Sequence, residues 1–316
     1  MSKTYVIGHQ KPDTDSVVAA MALAHLYQQD PSWGYADAQA KIVDPLNPET
    51  TYLFEKFAVV GPELFTADQI QSDDQVVLVD HNEESQRLVG LNPDQIVEIV
   101  DHHKANLNLN NPIYLNFKTW GSSSTIVYFL MKKNNVVPDQ KLASLMLCAI
   151  LSDTVGFKGA TTTKWDQKFG AELAQIAQIT DIDGLALEIF KAKSDVSKLT
   201  DEQIIKNDYK IFDFGGQKVF IDQLETVEQE VVLSTKKAQL LTAMQTVKQQ
   251  ESADLLFVII TDVLKVNSKM LILADGEASV ATKAFGGQIS ENVLDIGPKM
   301  SRKKEIAPLI EKAVSN

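Results

Sequence analysis

Residues 5–16 decide the fold of the first half of this chain, and they read Tyr5-Val6-Ile7-Gly8-His9-Gln10-Lys11-Pro12-Asp13-Thr14-Asp15-Ser16. The apolar start predicts a β-strand, and the apolar spacing after Ser16 predicts a helix to about residue 28. His9, Asp13 and Asp15 therefore lie where a strand passes into a helix. Ligands bind at such points in parallel sheets, and a divalent metal accounts for this cluster better than packing does.

Two later segments repeat this arrangement. Residues 75–80 and 96–101 are apolar runs that predict strands, and they end in Asp80 and Asp101. Strands that are apolar on both faces are covered by helices on both sides. The alternation of strands and helices therefore predicts an α/β domain with a doubly wound parallel sheet.

Three further side chains suit a metal site at the same edge of the sheet. His102 and His103 follow the second of these strands, and Asp153 ends an apolar helix, where the helix dipole disfavours a carboxylate. Taken singly, each of these residues has an ordinary structural alternative, as a helix cap, a turn residue or a hydrogen-bonded histidine. Mixed His and Asp ligands suit Mn²⁺, Mg²⁺ or Co²⁺ rather than a structural zinc.

The second half of the chain predicts a separate, smaller α+β domain with a mixed sheet. We place the first domain at residues 1–190, a polar hinge or linker at 191–199, and the second domain at 200–316. A hairpin is predicted around Gly215-Gly216, because two apolar runs flank this turn. One of the further strands is predicted at residues 278–284.

The second domain also carries a candidate anion site. Ser301-Arg302-Lys303-Lys304 begins the predicted terminal helix, where three cations oppose the helix dipole. Binding of an oxyanion resolves that conflict, and a solvated basic turn is the alternative. Lys210 is a weaker candidate for the same role, with a surface lysine as its alternative.

Whole-chain composition excludes several classes of protein. The 316 residues carry 42 acidic and 30 basic side chains, a net charge of −12, which argues against a nucleic-acid-binding face. No apolar stretch is long enough to span a membrane, and the N-terminal run is too short for a signal peptide. One cysteine, Cys148, excludes an intrachain disulfide. These features predict a soluble, cytoplasmic protein.

Several of these segments together resemble the manganese-dependent (family II) inorganic pyrophosphatases of the DHH phosphoesterase superfamily, and the likeness covers almost the whole chain. The segments are Gly8 to Ser16, the strand end at Asp80, Asp101-His102-His103, Ser152-Asp153-Thr154 and Ser301-Arg302-Lys303-Lys304. Two segments depart from the family pattern, Lys104-Ala105-Asn106 and the serine-rich Gly121-Ser122-Ser123-Ser124-Thr125. We expect these changes to touch no metal ligand.

The resemblance implies hydrolysis of pyrophosphate to two phosphates by a hydroxide that two Mn²⁺ ions per subunit activate, with Co²⁺ or Mg²⁺ possible and a further Mg²⁺ arriving with substrate. His9, Asp13 and Asp80 would hold one ion, and Asp15, Asp80, His102 and Asp153 the other. Arg302, Lys303 and Lys210 of a DHHA2-like second domain would bind phosphoryl oxygens, and His103 the bridging or leaving oxygen. The resemblance also implies a homodimer formed through the first domain.

Two other functions stay open on the sequence. A DHH phosphoesterase that cleaves nucleotides or short oligonucleotides normally carries a glycine-rich, His-containing motif, but here no His follows Gly286-Gly287-Gln288. A metal-binding regulatory module without turnover would be favoured by a lost ligand, and every ligand that the resemblance implies is present.

Overall fold

The computed structural model describes residues 2–35, 37–196 and 199–315. The chain forms two compact units, residues 1–192 and 193–316. The domain limits of 1–190 and 200–316, with a linker at 191–199, stay a proposal. Ser197 and Lys198 of that linker lie outside the described residues.

The first unit is built on one parallel sheet. Among its described residues the strands are β1 (Thr4–Ile7), β2 (Ala38–Ile42), β3 (Glu63–Leu64), β4 (Gln75–Val79), β5 (Ile96–Asp101) and β6 (Tyr114–Phe117). Their order in the sheet is β3-β2-β1-β4-β5-β6, and all neighbours are parallel. The order reverses between β1 and β4, the switch point at which open α/β sheets bind ligands. The predicted doubly wound parallel sheet is confirmed.

The first three helices described in the first unit each come after a strand, and the last three follow one another along the chain. These helices are α1 (Thr14–Gln29), α2 (Pro48–Lys56), α3 (Ser123–Lys133), α4 (Gln140–Asp153), α5 (Lys164–Ala177) and α6 (Ile182–Lys193). The side chain of Asp13 caps α1, because its Oδ1 accepts a hydrogen bond from the backbone N–H of Ser16 at 3.0 Å. Ile7, Leu78 and Ile99, from three adjacent strands, are fully buried in one apolar cluster. This packing fixes the strand ends that carry the candidate site.

The second unit has a mixed sheet and helices on both of its faces. Its described elements are α7 (Asp201–Ile205), β7 (Tyr209–Phe214), β8 (Gln217–Thr226), α8 (Gln229–Gln250), β9 (Leu255–Asp262), β10 (Asn267–Leu271), α9 (Asp275–Phe285), β11 (Val293–Gly297), a π-helical turn (Arg302–Ile306) and α10 (Ala307–Ser315). The strand order is β11-β10-β9-β8-β7, and only β8 and β9 are parallel.

Alternation along β9 divides the core of the second unit into two layers. Leu256 and Val258 pack in the cluster that contains residues of α8, whereas Phe257 and Ile259 pack in the cluster that contains residues of α9 and α10. Successive side chains of a strand point to opposite faces, so a central strand covered on both sides is apolar throughout. All eight residues of β9 are buried. The predicted α+β domain with a mixed sheet is confirmed.

One predicted element of this unit is wrong. Residues 278–284, which we expected to form a strand, lie inside the helix α9. Ala278, Ala281 and Phe285 contact the core at the three- and four-residue spacing of a helix face. The run is too short for periodicity to separate the two structures, and its alanines favour a helix.

None of the helices in the described ranges has both the length and the apolar character needed to cross a bilayer.

Candidate metal centre

Three adjacent strands bring polar residues together at the switch point. β1 leads into His9, β4 leads into Asp80, and β5 leads into His102. Because β1, β4 and β5 are neighbours in a parallel sheet, their carboxyl ends meet at the same edge. The structure therefore gathers segments that lie far apart in the sequence.

Asp80 lies at the middle of this group, and the two imidazoles approach its two oxygens. His9 Nε2 is 3.6 Å from Asp80 Oδ2 and 3.7 Å from Asp13 Oδ1. His102 Nε2 is 3.3 Å from Asp80 Oδ1 and 3.9 Å from Asp153 Oδ2. Two separate ligand pairs thus share one carboxylate, which is the arrangement that a bridging ligand between two metals requires.

Within the described part of the chain, three groups of side chains could each hold a metal ion, with ligand atoms that lie within 4.8 Å of one another. Asp80 belongs to all three. The groups are His9 with Asp13 and Asp80; Asp15 with Asp80, His102 and Asp153; and Asp80 with His102 and His103. The first two match the ligand sets that the sequence resemblance implies.

The backbone at Asp80 is held in an uncommon conformation. Its φ of 64° lies in the left-handed region, which costs free energy for a residue other than glycine. Its backbone N–H donates to the carbonyl of Val100 at 2.9 Å, and its side chain is buried. Pairing with β5 therefore holds the backbone of Asp80, the residue common to all three ligand groups, in a strained conformation. Such strain is typical of functional residues.

Hydrogen bonds to main-chain carbonyls orient two of the histidines. His9 Nδ1 donates to the carbonyl of Gln10 at 2.8 Å, and His102 Nδ1 donates to the carbonyl of Trp120 at 3.0 Å. Each bond leaves Nε2 as the nitrogen that faces Asp80. Outer partners of this kind select the tautomer that can bind a metal.

The electrostatics of the cluster are those of crowded carboxylates. Burial and the nearby charge of Asp80 raise the pKa of Asp15 to about 6. Burial and the carboxylate of Asp15 raise the pKa of Asp153 well above its ordinary value. Burial acts against the charge on His9, but the nearby carboxylates of Asp13 and Asp80 outweigh it and raise the pKa of His9 to about 11. A bound cation would stabilise all of these carboxylates.

His102 and Asp80 each shift the pKa of the other. Burial acts to lower the pKa of His102, yet the nearby carboxylate of Asp80 raises it to about 9. Burial acts to raise the pKa of Asp80, yet His102 and His9 lower it below its ordinary range. Positive charge, from protonated imidazoles or from a bound cation, therefore stabilises the ionised form of Asp80.

His103 is held differently from the other two histidines. Its Nδ1 donates to Asp101 Oδ1 at 3.0 Å, and its backbone N–H donates to the same oxygen at 3.0 Å. The hydrogen bond to Asp101 outweighs burial and raises the pKa of His103. Its side chain is 55% exposed, whereas that of His102 is 13% exposed. His103 is therefore the imidazole that a soluble substrate can reach.

A cavity of about 590 Å³ opens beside these groups. Its lining includes Asp13, His102, His103 and Asp153, together with residues 119–121 and 160–163. Its volume exceeds what a small inorganic anion with its metal ions needs.

The candidate anion residues lie in the second unit. Ser301 Oγ accepts from the backbone N–H of Lys304 at 3.2 Å, and this cap begins the π-helical turn that contains Arg302 and Lys303. Lys210 is on β7, at the edge of the sheet. Among the described residues, Arg302 is the one of these three cations that has a carboxylate partner, Asp208.

Comparisons with known proteins identify the family. The DHH family, N-terminal domain, matches residues 3–150, and the DHHA2 domain matches residues 187–313. The manganese-dependent inorganic pyrophosphatase of Methanocaldococcus jannaschii is 37% identical over 98% of both chains, and that of Bacillus subtilis is 34% identical over the whole of both. The chain belongs to the manganese-dependent inorganic pyrophosphatase family. A crystal structure assigned as a family II inorganic pyrophosphatase from Methanococcus jannaschii shares 36% identity, covers 99% of this chain and 100% of that one, and has a TM-score of 0.63.

The serine-rich start of α3 contacts two presumed ligands of this pyrophosphatase-family chain, so the expectation that it touches none is wrong. Asp15 accepts from Ser122 Oγ at 2.8 Å and from the backbone N–H groups of Ser123 and Ser124 at 2.6 and 2.9 Å. Ser123 Oγ donates to Asp80 Oδ1 at 2.9 Å. A helix N-terminus favours a carboxylate at this position.

The sequence analysis did not identify Asn82, whose side chain organises the loop that follows Asp80. Its Nδ2 donates to Asp101 Oδ2 at 2.5 Å, and its Oδ1 accepts from the backbone N–H of Asn106 at 2.6 Å. Asn82 thereby fixes Asp101, which in turn holds His103. Its position two residues after Asp80 is the only signal that the sequence offers. His81, between them, is in none of the three ligand groups, and burial lowers its pKa to about 4.

Proposed function

We propose that this protein hydrolyses inorganic pyrophosphate to two phosphates with the aid of two divalent cations. The observation that carries the proposal is the sharing of Asp80 by separate groups of potential ligands on its two sides. Full-length relatives named manganese-dependent inorganic pyrophosphatases support the choice of substrate and metal.

The donor set fits manganese. His9, Asp13 and Asp80 would hold one Mn²⁺, and Asp15, Asp80, His102 and Asp153 would hold the second, with Asp80 as the bridge. Imidazole and carboxylate ligands without thiolates favour Mn²⁺, and they also accept Co²⁺ or Mg²⁺. A further Mg²⁺ would enter with the anionic substrate.

Two cations held by these residues would act as Lewis acids and would lower the pKa of a bound water. The chain would supply the proton that the leaving oxygen needs. His103, held through Nδ1 by Asp101, would bind the leaving oxygen and give it a proton from Nε2. The raised pKa of His103 favours the protonated imidazole that this role requires.

The cations of the second unit would bind phosphoryl oxygens. Arg302 offers a planar fork of N–H donors, and Lys303 and Lys210 offer mobile ammonium groups. Positive charge that acts on the departing phosphate stabilises the charge that develops there. We therefore assign Arg302, Lys303 and Lys210 to the substrate.

We also propose that the protein forms a homodimer through its first unit. β6 pairs with β5 on one side, and no described strand pairs with the backbone groups of its other edge. Tyr114 and Leu115 on this strand are 69% and 50% exposed. The β6 strand of a second copy would form hydrogen bonds with these backbone groups and would cover both side chains.

The test is phosphate release from pyrophosphate by metal-stripped protein after Mn²⁺, Co²⁺ or Mg²⁺ is added back. A dinucleotide run in parallel separates the proposal from the phosphoesterase alternative. Asp80→Ala should abolish release. Asp94→Ala is the matched control, because Asp94 is an exposed carboxylate that precedes β5 at the other end of the sheet. Dinucleotide cleavage without pyrophosphate hydrolysis would reject the proposal.

A further inference from the structure

Two consecutive residues of β8 join the segments that contain Arg302 and Asp208. Asp222 Oδ1 accepts from the backbone N–H of Asp208 at 3.2 Å, and the backbone N–H of Gln223 donates to the carbonyl of Asp208 at 3.1 Å. Gln223 Oε1 accepts from the backbone N–H of Arg302 at 2.9 Å, and its Nε2 donates to the carbonyl of Met300 at 3.0 Å. β8 thus fixes the main chain at Asp208 and at Arg302, and these two residues form an ion pair.

That ion pair is a two-point contact between Arg302 and Asp208. Arg302 Nη2 donates to Asp208 Oδ1 at 2.9 Å, and Arg302 Nη1 donates to the carbonyl of Asp208. The Arg302 side chain is 14% exposed, whereas that of Asp208 is 60% exposed. A guanidinium with two acceptors on one residue has a fixed plane, and the second N–H of each Nη remains for other partners.

A buried acid lies behind this contact. Asp222 is fully buried, and its Oδ2 has no hydrogen-bond partner in the described part of the chain; the same is true of Arg302 Nε. Burial raises the pKa of Asp222 well above its ordinary value, while the charge of Arg302 acts in the opposite direction. Asp222 is therefore a rigid support for Asp208, and Asp208 is the only carboxylate in hydrogen-bond contact with the guanidinium among the residues described.

We propose that Asp208 is a positioning residue for Arg302, which sets the plane of the guanidinium and weakens its hold on phosphate through the charge of the carboxylate. The inference rests on the proposed function, in which Arg302 binds phosphoryl oxygens. Lys210 and Lys303 have no comparable partner among the described residues. Arg302 is thus the cation whose affinity for the phosphate product is lowered by a neighbouring carboxylate.

Two substitutions separate orientation from charge. Asp208→Asn keeps an oxygen that accepts from Nη2 but removes the negative charge beside the bound anion. Coulomb's law at high effective dielectric predicts that inorganic phosphate then binds about threefold to tenfold more tightly. Asp208→Ala removes the acceptor as well, so kcat/KM for pyrophosphate should fall about tenfold below that of Asp208→Asn.

The matched control is Asp213→Asn on β7, the strand that begins directly after Asp208. It changes the net charge equally, and among the described residues its Oδ1 accepts from the backbone N–H of Gly216 in the hairpin turn alone. Phosphate binding to manganese-loaded protein is measured by calorimetry, and phosphate inhibition is measured during hydrolysis. Asp213→Asn should match the wild type in both measurements.

A double-mutant cycle with Arg302→Ala tests whether Asp208 acts through Arg302. The gain in phosphate affinity from Asp208→Asn should disappear in the Arg302→Ala background. The inference is overturned if that gain persists there, or if Asp208→Asn binds phosphate like the wild type, or if both Asp208 variants lose only thermal stability. Failure of the wild type to hydrolyse pyrophosphate would instead reject the proposed function, and the calorimetric comparison would still test the Asp208–Arg302 pair.

Discussion

Replacement of Ser123 by alanine should weaken metal binding without disturbing the fold. Ser123 Oγ donates to Asp80 Oδ1 at 2.9 Å, and the two residues are 0% and 1% exposed. This bond stabilises the charged form of the carboxylate that all three ligand groups share. Alanine fits the same space and removes only the hydroxyl.

The size of the effect follows from the environment of that bond. A hydrogen bond to a charged group contributes about 1.5–3 kcal/mol, and more is lost where water cannot replace the donor. About 1.4 kcal/mol corresponds to a tenfold change in an equilibrium constant, so the Kd for Mn²⁺ should rise about tenfold to hundredfold. Outer partners of metal ligands produce losses of this size.

The assay is titration of metal-stripped protein with Mn²⁺, with the free ion followed by electron paramagnetic resonance. Ser144→Ala is the matched control, because Ser144 is an equally buried serine whose hydroxyl donates to the backbone carbonyl of Gln140 at 2.8 Å, within α4. Its Kd should equal that of the wild type. Unchanged Mn²⁺ affinity in Ser123→Ala, in protein that unfolds at the wild-type temperature, would refute the reasoning.

Three other results are expected. Mn²⁺ binding at neutral pH should release at least two protons, because the pKa values of His9 and His102 are about 11 and 9 and both must be neutral to bind it, and the raised pKa of Asp153 adds to the release; affinity should therefore rise with pH up to about 11, and calorimetry in buffers of different ionisation enthalpy checks this. Tyr27→Phe should lower the free energy of unfolding in urea by about 1–3 kcal/mol, because Tyr27 OH donates to the buried carboxylate of Glu98 at 2.8 Å; an unchanged midpoint would contradict it. Leu115→Lys should shift the protein towards monomer in sedimentation, and a dimer as stable as the wild type's would argue against edge pairing through β6.

The sequence predicts the parallel sheet well because its strands are buried on both faces. The runs that form β4 and β5 are apolar almost throughout, which only a covered strand requires. β6 escapes prediction because it lies at the sheet edge, where two of its four residues are exposed. An edge strand needs no apolar alternation, so its sequence carries little signal.

The residues of the candidate site stand out in the sequence where a residue's chemistry is out of place in its local structure. A strand that ends in Asp80, or an apolar helix that ends in Asp153, has no local need of a carboxylate. Asn82 and Asp208 are ordinary loop residues in sequence, and their importance comes from partners that are far away along the chain. Asp208 meets Arg302 across 94 positions. Such pairings are a product of the tertiary fold and cannot be inferred from local patterns.

Protonated side chains explain how the fold tolerates a cluster of acids that have no lysine or arginine partner among the described residues. Burial opposes charge on Asp15 and Asp153 and raises the pKa of both carboxyl groups. Asp80 stays charged because two imidazolium groups approach it and Ser123 donates to it. Protons thus carry the positive charge that a bound cation would supply. Since a cation displaces these protons when it binds, a higher pH should strengthen metal binding by removing the competing protons.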